Sequence, residues 1–241
     1  MVYLLVRAFG KRWRFITTSF FITLLFALCS PTQVQATPKP LFLDFLMTGK
    51  GISPIWLTLP KPQLYLLAWS RDAKVLMAQT EIPSTQVRFE VWDCIDDHAV
   101  DSLTLPGWGT GSQKLWWESQ EAQLSALRHK WDLHPCDFQM GTFPFIDSND
   151  VFFQPYLDLL KTGNRWGTTL RLVLHGGGVG TKVVMERHGV WRRALLLGFT
   201  PSPYEDRILM IMVVQPTGWD GDKTELHYLF SGASLLFGFH S

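Results

Sequence analysis

Residues 170–180 read LRLVLHGGGVG, a run of alternating apolar residues that breaks into one histidine and three consecutive glycines. No other stretch of the chain looks as much like a functional site, and its interpretation decides the fold. Three alternatives are open: the edge of an oxyanion hole, a glycine-rich phosphate loop, and a turn between two strands. The first two belong to folds in which helices alternate with strands.

The oxyanion-hole interpretation depends on four residues, His175 to Gly178. In α/β-hydrolases of the lipase and esterase type, an HGGG segment follows a strand and donates backbone N–H groups to the oxyanion. This chain contains no G-x-S-x-G motif to carry the nucleophile. The 63 residues that follow Gly178 read as strands, which leaves no room for the other catalytic elements. The sequence therefore does not support membership of that family.

The phosphate-loop interpretation fails on the residues that follow the glycines. The segment ends in Gly180-Thr181-Lys182, whereas a phosphate loop ends in Gly-Lys-Ser or Gly-Lys-Thr. The next residues, TKVVMER, alternate as a strand does, so no helix directs its N-terminus at an anion. A phosphate site is not indicated.

The hairpin interpretation fits the whole stretch. Leu170, Leu172 and Leu174 fall on one face of a strand and Arg171 on the other, and the alternation resumes after the glycines at Val183 and Met185. Glycines tolerate positive φ angles, which a tight turn needs. We therefore expect two antiparallel strands, with His175 facing solvent beside the loop.

The N-terminal 36 residues have the pattern of a secretory signal peptide. A basic stretch is followed by the apolar run Phe15 to Ser30 and by the small-residue pattern Val34-Gln35-Ala36. The apolar run is shorter than the roughly 20 residues of a membrane-spanning helix, although an uncleaved anchor is the alternative. We expect cleavage near Ala36 and a secreted or periplasmic mature protein.

Charge and length limit what residues 37–241 can be. Four of the 22 basic residues and none of the 21 acidic ones lie in residues 1–36, so the mature chain carries 18 basic against 21 acidic residues. This net charge of −3 argues against a nucleic-acid binder. The length suits a single β-rich domain with a sub-boundary near residues 106–112, and the absence of a second long apolar run predicts that the mature part does not span a membrane.

The pattern predicts an α+β fold dominated by antiparallel sheet. Five short apolar segments separated by turn residues come first: LFLDFLM, PIWLTL, QLYLLAW, AKVLMAQ and QVRFEVW. In the middle, Trp117, Leu124, Leu127 and Trp131 form a helical stripe, and a second helix is expected from about residue 150 to 162. Six further segments predict a C-terminal meander: WGTTLRLVL, TKVVMER, VWRRALLLGF, RILMIMVVQ, TELHYLF and ASLLFGF. Whether the strands form a sandwich or a partial barrel is undecided.

Two cysteines remain in the mature chain, Cys94 and Cys136. In an oxidising compartment we expect them to form a disulfide, although free thiols and metal ligands are the alternatives. Each lies in an acidic segment with a histidine, VWDCIDDH and WDLHPCD. A disulfide would bring Asp96, His98 and His134 together as ligands of a divalent metal. The alternative is a solvated loop, and no other cofactor is indicated.

Basic residues are concentrated between positions 161 and 193. This interval carries a net charge of +6, which leaves −9 for the rest of the mature chain. If Arg171, Arg187, Arg192 and Arg193 share one sheet face, it would attract an anionic surface or an acidic protein. The alternative is an ordinary solvated face.

Two of the mature chain's tryptophans, Trp108 and Trp219, lie in glycine-rich turns, where contact with a partner is one explanation and folding back as a lid is the other.

These observations predict an exported, non-enzymatic binding or envelope-assembly protein. The alternative is an extracytoplasmic hydrolase or lyase, metal-dependent or not, centred on Asp96, His98 and His134. A structural subunit that is stable only in a complex is a third interpretation. The sequence does not decide whether the protein is an enzyme.

Overall fold

The computed structural model describes residue 38 and residues 62–80, 84–162, 167–216 and 225–240. Several sequence predictions lie outside these residues: the signal peptide and its cleavage site, the strands LFLDFLM and PIWLTL, and Trp219. The described residues form antiparallel sheets and one helix, so the β-rich character predicted from the sequence is confirmed.

The first sheet has five antiparallel strands in the order β4-β3-β2-β1-β5. Its strands are β1 (Leu64–Ser70), β2 (Lys74–Thr80), β3 (Val87–Asp93), β4 (His98–Leu105) and β5 (Leu133–Pro135). The predicted segments QLYLLAW, AKVLMAQ and QVRFEVW correspond to β1, β2 and β3. Alternation in β3 is as expected, because Val87, Phe89 and Val91 are all fully buried on one side.

Helix α1 (Gln113–Lys130) covers one face of this sheet. Trp117, Leu124 and Leu127 recur at helical spacing and are buried against the sheet, which confirms the predicted helix. Basic residues occupy its last turn, where they complement the negative end of the helix dipole.

The second predicted helix is wrong. Residues Phe152–Lys161 form a strand, β7, of a four-stranded antiparallel sheet in the order β6-β7-β8-β9. Its other strands are β6 (Phe145–Ile146), β8 (Thr168–Gly176) and β9 (Gly180–Gly189). Burial in β7 follows a period of two, because Phe153 and Pro155 are buried while Phe152 and Tyr156 are exposed. Pro155 is compatible with a strand here and would have weakened a helix.

The HGGG stretch is a hairpin, as predicted. Gly176 pairs with Gly180 across a turn of three residues, and Leu170, Leu172 and Leu174 are fully buried. A register shift opposite Leu172 and Val173 turns Val183 outward, where it is 48% exposed, while Met185 is buried. The sequence predicts Val183 on the same inward face as Met185. The register shift is a β-bulge, and it turns Val183 to the opposite face.

The predicted six-stranded meander is divided between two sheets. β10 (Trp191–Pro201), β11 (Arg207–Pro216) and β12 (His227–Ser234) form a separate three-stranded sheet, and β9 pairs with β8 rather than with β10. The sixth segment, ASLLFGF, is not a strand, since β12 ends at Ser234 and the chain then bends. His240 returns to form a single bridge with Thr181.

The three sheets are open and stacked, with the three-stranded sheet in the middle. Strand β11 shows why: Leu209, Ile211 and Val213 pack against the five-stranded sheet, and the intervening Met210 and Met212 pack against the four-stranded sheet. All of these side chains are fully buried. A strand covered on both faces reads as a continuous apolar run, as RILMIMVVQ does. The layers are therefore helix, five strands, three strands and four strands.

Candidate functional site

The structure does not bring His98 and His134 together. His98 begins β4 and His134 lies in β5, and these strands are the two edges of the five-stranded sheet. Four strand spacings of about 4.8 Å separate the edges, roughly 19 Å in all, which is far beyond the reach of one metal ion. In the described ranges, no group of three or more His, Cys, Asp or Glu side chains could hold a metal.

Asp96 and His134 instead make contacts within their own segments. Asp96 lies in the turn between β3 and β4, where its backbone N–H donates to the Asp93 carboxylate at 3.2 Å. The Nε2 atom of His134 lies 3.1 Å from a carboxylate oxygen of Asp132. The acidic segment VWDCIDDH is thus the end of a strand and a tight turn.

The predicted disulfide is not formed: Cys94 and Cys136 are both free thiols. Cys94 is fully buried in the core between the five- and three-stranded sheets, and burial raises the pKa of its thiol well above the usual value. Cys136 is half-buried at the edge of the same core, and burial raises its thiol pKa to about 11. Both thiols stay protonated near neutral pH, so neither is an activated nucleophile.

Sequence reasoning missed the residue at which the three sheets meet, Asp97. It ends the turn between β3 and β4 with a left-handed φ of 53°. Its carboxylate accepts hydrogen bonds from the Ser231 hydroxyl and from the Gly232 N–H of β12, each at 2.6 Å. Its backbone carbonyl accepts one at 3.4 Å from Arg187 of β9. We call Asp97, Arg187, Ser231 and Gly232 the Asp97 junction.

The electrostatics of the Asp97 junction are those of a structural contact. Burial raises the pKa of the Asp97 carboxyl, and the hydrogen bonds from Gly232 and Ser231 together with the Arg187 charge oppose that rise. The Arg187 guanidinium also lies 5.6 Å from the ring centre of Trp92, a cation–π contact between sheets. Because Ser231 is fully buried, its hydroxyl is not presented to a substrate.

The basic residues do not form one sheet face. Arg171 points outward from β8 beside Glu186, at 3.8 Å, whereas Arg187 is directed to the Asp97 junction on the opposite side of that sheet. Arg192 and Arg193 belong to β10 of the three-stranded sheet, where both are exposed. The four arginines named from the sequence are therefore distributed over three locations.

Trp108 is not an exposed turn residue. It is only 9% exposed and packs edge-on against Tyr65, Trp116 and Trp117, with ring centres 5.0–5.9 Å apart. The glycines around it serve this packing, because Gly107 and Gly109 both have positive φ angles. Trp108 is a core residue beneath α1.

A shallow cleft of about 360 Å³ lies at the C-terminal end of α1, where Trp131 is flanked by charged side chains. Two of those charges, Lys130 and Asp72, are paired within the protein, while Arg71, His129 and Asp132 also line the cleft. Lys130 and the Trp131 indole both donate to the Asp101 carboxylate, at 2.7 and 2.8 Å, and these hydrogen bonds lower the pKa of Asp101. Asp72 is bonded to Lys74 and Ser70.

The most distinctive surface is the solvent side of the four-stranded sheet, which we call the outer face. Along the strands, its cross-strand groups are Ile146–Phe152, Gln154–His175–Thr181, Tyr156–Val173–Val183, Asp158–Arg171–Glu186 and Leu160–Thr169–His188. Ile146 is 65% exposed, Phe152 43% and Tyr156 54%. This exposed face could have been found from the alternation of residues in β7, but the prediction of a helix there obscured it.

Comparison of the chain with protein-family models, with curated proteins and with solved structures gave no match. Among the described residues, no helix has both the length and the apolar character needed to cross a bilayer.

Proposed function

We propose that this chain is an exported, non-enzymatic assembly or binding protein that contacts a protein partner through its outer face. The observation that carries the proposal is the exposure of Ile146, Phe152, Tyr156 and Val183 on one side of one sheet. The solvent side of an antiparallel sheet is ordinarily polar, and several large apolar side chains exposed on one face mark an interaction surface.

The energetics suit reversible binding. Each of these side chains is about half exposed, so covering the remainder contributes roughly 1 kcal/mol per residue. Its apolar groups alternate with polar ones, since the group Gln154–His175–Thr181 lies on one side of Tyr156 and the charged group Asp158–Arg171–Glu186 on the other. A mixture of apolar and polar groups is the usual composition of a reversible protein–protein interface.

The predicted binding of an anionic partner depends on Arg192 and Arg193, because Arg171 and Arg187 lie elsewhere. These two exposed side chains are adjacent on β10, and they would add an electrostatic contribution to binding at a second surface. Binding of the purified protein to anionic vesicles should then fall with salt and with the double change Arg192→Ala and Arg193→Ala. Salt-independent binding, or none, would remove this part of the proposal.

No arrangement in the part of the chain that the structure describes favours the hydrolase or lyase alternative. His98 and His134 are on opposite edges of a sheet, and Ser231 is fully buried. We therefore carry only the binding function forward.

Photocrosslinking in the native host tests the proposed function. A photoreactive phenylalanine analogue at Tyr156 or Val183 of the full chain should give discrete crosslinked species, identified by mass spectrometry. The matched control position is Glu118 on α1, which is exposed to a similar degree and lies outside the outer face. Crosslinks that are absent, or equally abundant from Glu118, would refute the outer face as the contact surface.

Export is a separate part of the proposal and has its own measurement. The intact mass of the protein purified from the native host should correspond to a chain that starts near Thr37. A full-length cytosolic product would contradict export and leave the contact surface untouched.

A further inference from the structure

We infer that the outer face binds a second copy of this chain, so that two four-stranded sheets pack face to face about a two-fold axis. The inference rests on the proposed function and names its partner. Two-fold homodimers are the commonest assemblies of soluble proteins, and their interfaces must be self-complementary.

The charged group of the outer face has this self-complementarity. Asp158 of β7 and Arg171 of β8 are directly paired across the two central strands. A two-fold axis that runs along the strands between β7 and β8 exchanges these positions, so Asp158 of each copy faces Arg171 of the other. Two opposite-charge contacts result from one pairing of residues.

The apolar group obeys the same symmetry. Tyr156 and Val173 are paired one row away from Asp158 and Arg171, so the same axis places the Tyr156 ring of each copy over Val173 of the other. An aromatic ring against a β-branched side chain is a favourable contact between sheet faces. Polar and apolar groups therefore match with a single axis.

The size of the face sets the strength of the dimer. The axis lays β7 and β8 of one copy over β8 and β7 of the other, while β9 of each copy extends beyond the overlap. These two strands of 10 and 9 residues give an overlap of roughly 300 Å² at the usual strand spacing and rise. Two such faces bury on the order of 600 Å², which is the size of a weak, transient contact. We therefore expect a dimer that dissociates on the order of 100 μM.

Sheet-on-sheet packing is also how this chain already uses the inner side of the same sheet. Leu170, Leu172 and Leu174 on the inner side of β8 pack against β11 of the middle sheet. A second copy would cover the solvent side with the same geometry, since aligned sheets pack about 10 Å apart. The dimer would extend the existing stack of layers.

Sedimentation analysis of the mature protein over about 10 μM to 1 mM tests the inference. Charge reversal by Asp158→Arg or by Arg171→Asp should raise the dimer dissociation constant about tenfold or more, because each variant places like charges opposite each other. The double variant exchanges the two charges and should restore the dimer. Lys114→Asp on α1 is the control charge reversal, and it should leave dissociation unchanged.

Each other outcome overturns the second copy as the partner. If the protein is a monomer at all concentrations but its outer face still crosslinks to another protein, the dimer is refuted and the proposed function stands. If it is a monomer and gives no such crosslinks, both the dimer and the proposed function are refuted. A dimer that is indifferent to both single reversals uses a different surface.

Discussion

Replacement of Gly232 by alanine is the sharpest test of how the layers are held together. Gly232 lies on β12 where this strand passes the turn between β3 and β4. A Cβ atom placed there would lie 2.6 Å from both the carbonyl carbon and the Cα of Cys94, and closer still to its carbonyl oxygen. These are backbone atoms, so they cannot move aside as a flexible side chain would. An alanine must therefore push β12 away from the turn.

The cost follows from two losses at the same place. Overpacking of a tight contact costs about 1–3 kcal/mol. Displacement of β12 also lengthens the 2.6 Å hydrogen bond from the Gly232 N–H to the half-buried Asp97 carboxylate, and a bond to a charged group contributes about 1.5–3 kcal/mol. Together these give a loss of roughly 3–6 kcal/mol, a large part of the stability of an ordinary domain. For a chain of this size, the melting temperature should fall by roughly 10–20 °C.

Urea unfolding followed by tryptophan fluorescence measures this change in the free energy of unfolding. Gly111→Ala is the matched control, because no atom lies within 4 Å of a Cβ at that position and its φ is not positive. The control should be neutral or slightly stabilising, since alanine reduces the entropy of the unfolded chain. If Gly232→Ala stays within about 1 kcal/mol of the control, β12 does not press against the turn as described and the junction is misplaced.

Four further substitutions test the junction and the layers on either side of it. Asp97→Asn removes a carboxyl group whose pKa in the folded state is raised by burial. The stability of the wild type should therefore decline relative to the variant as the pH rises from about 3.8 through the folded pKa. Urea unfolding at several pH values measures this difference, and a relative gain in wild-type stability with pH would contradict it. Met210 and Ile211 lie on opposite faces of β11. Replacement of either by alanine should lower the free energy of unfolding, measured in urea, by about 2–5 kcal/mol. A decrease below about 1 kcal/mol for either variant would mean that this face of the strand is not part of a core. Trp108→Ala should lower the free energy of unfolding by about 3–5 kcal/mol, because Trp108 is buried. An unchanged free energy of unfolding would indicate that Trp108 lies on the surface.

Local patterns predicted the elements whose burial follows a single simple period. The hairpin around His175 follows from alternation at Leu170, Leu172 and Leu174 plus glycines that permit the turn. Helix α1 follows from the spacing of Trp117, Leu124 and Leu127. In both cases neighbours close in sequence determine the result, so one sequence is sufficient.

The division into three sheets could not be predicted in the same way. β9 and β10 are separated only by Val190, a connection that suits a hairpin, yet the chain changes sheet there. The cause is long-range, because β11 needs cover on both faces and the four-stranded sheet supplies one of those covers. A meander and a stack of sheets share the same alternation, and only the pairing of distant strands distinguishes them.

The Asp97 junction was hidden for a related reason. Asp93, Asp96 and Asp97 are equivalent in a sequence that reads VWDCIDDH. Asp97 alone is carried by its left-handed backbone to the edge of β12, 135 positions away, whereas Asp93 folds back on the backbone of its own turn. Asp96 and His98 were predicted as metal ligands from their residue types. Tertiary packing, however, determines which of the neighbouring carboxylates contacts a distant strand.

The helix prediction over residues 150–162 shows how one incorrect period conceals a surface. Tyr156, Leu159 and Leu160 match helical spacing, but in a strand they divide, with Leu159 turned to the core and Tyr156 and Leu160 to solvent. A helix would have buried all three and left no exposed apolar face to explain. Once β7 is a strand, its alternation requires that Phe152, Tyr156 and Leu160 lie on the side opposite the core. The outer face, and with it the proposed partner contact, therefore follows from the period of this one segment.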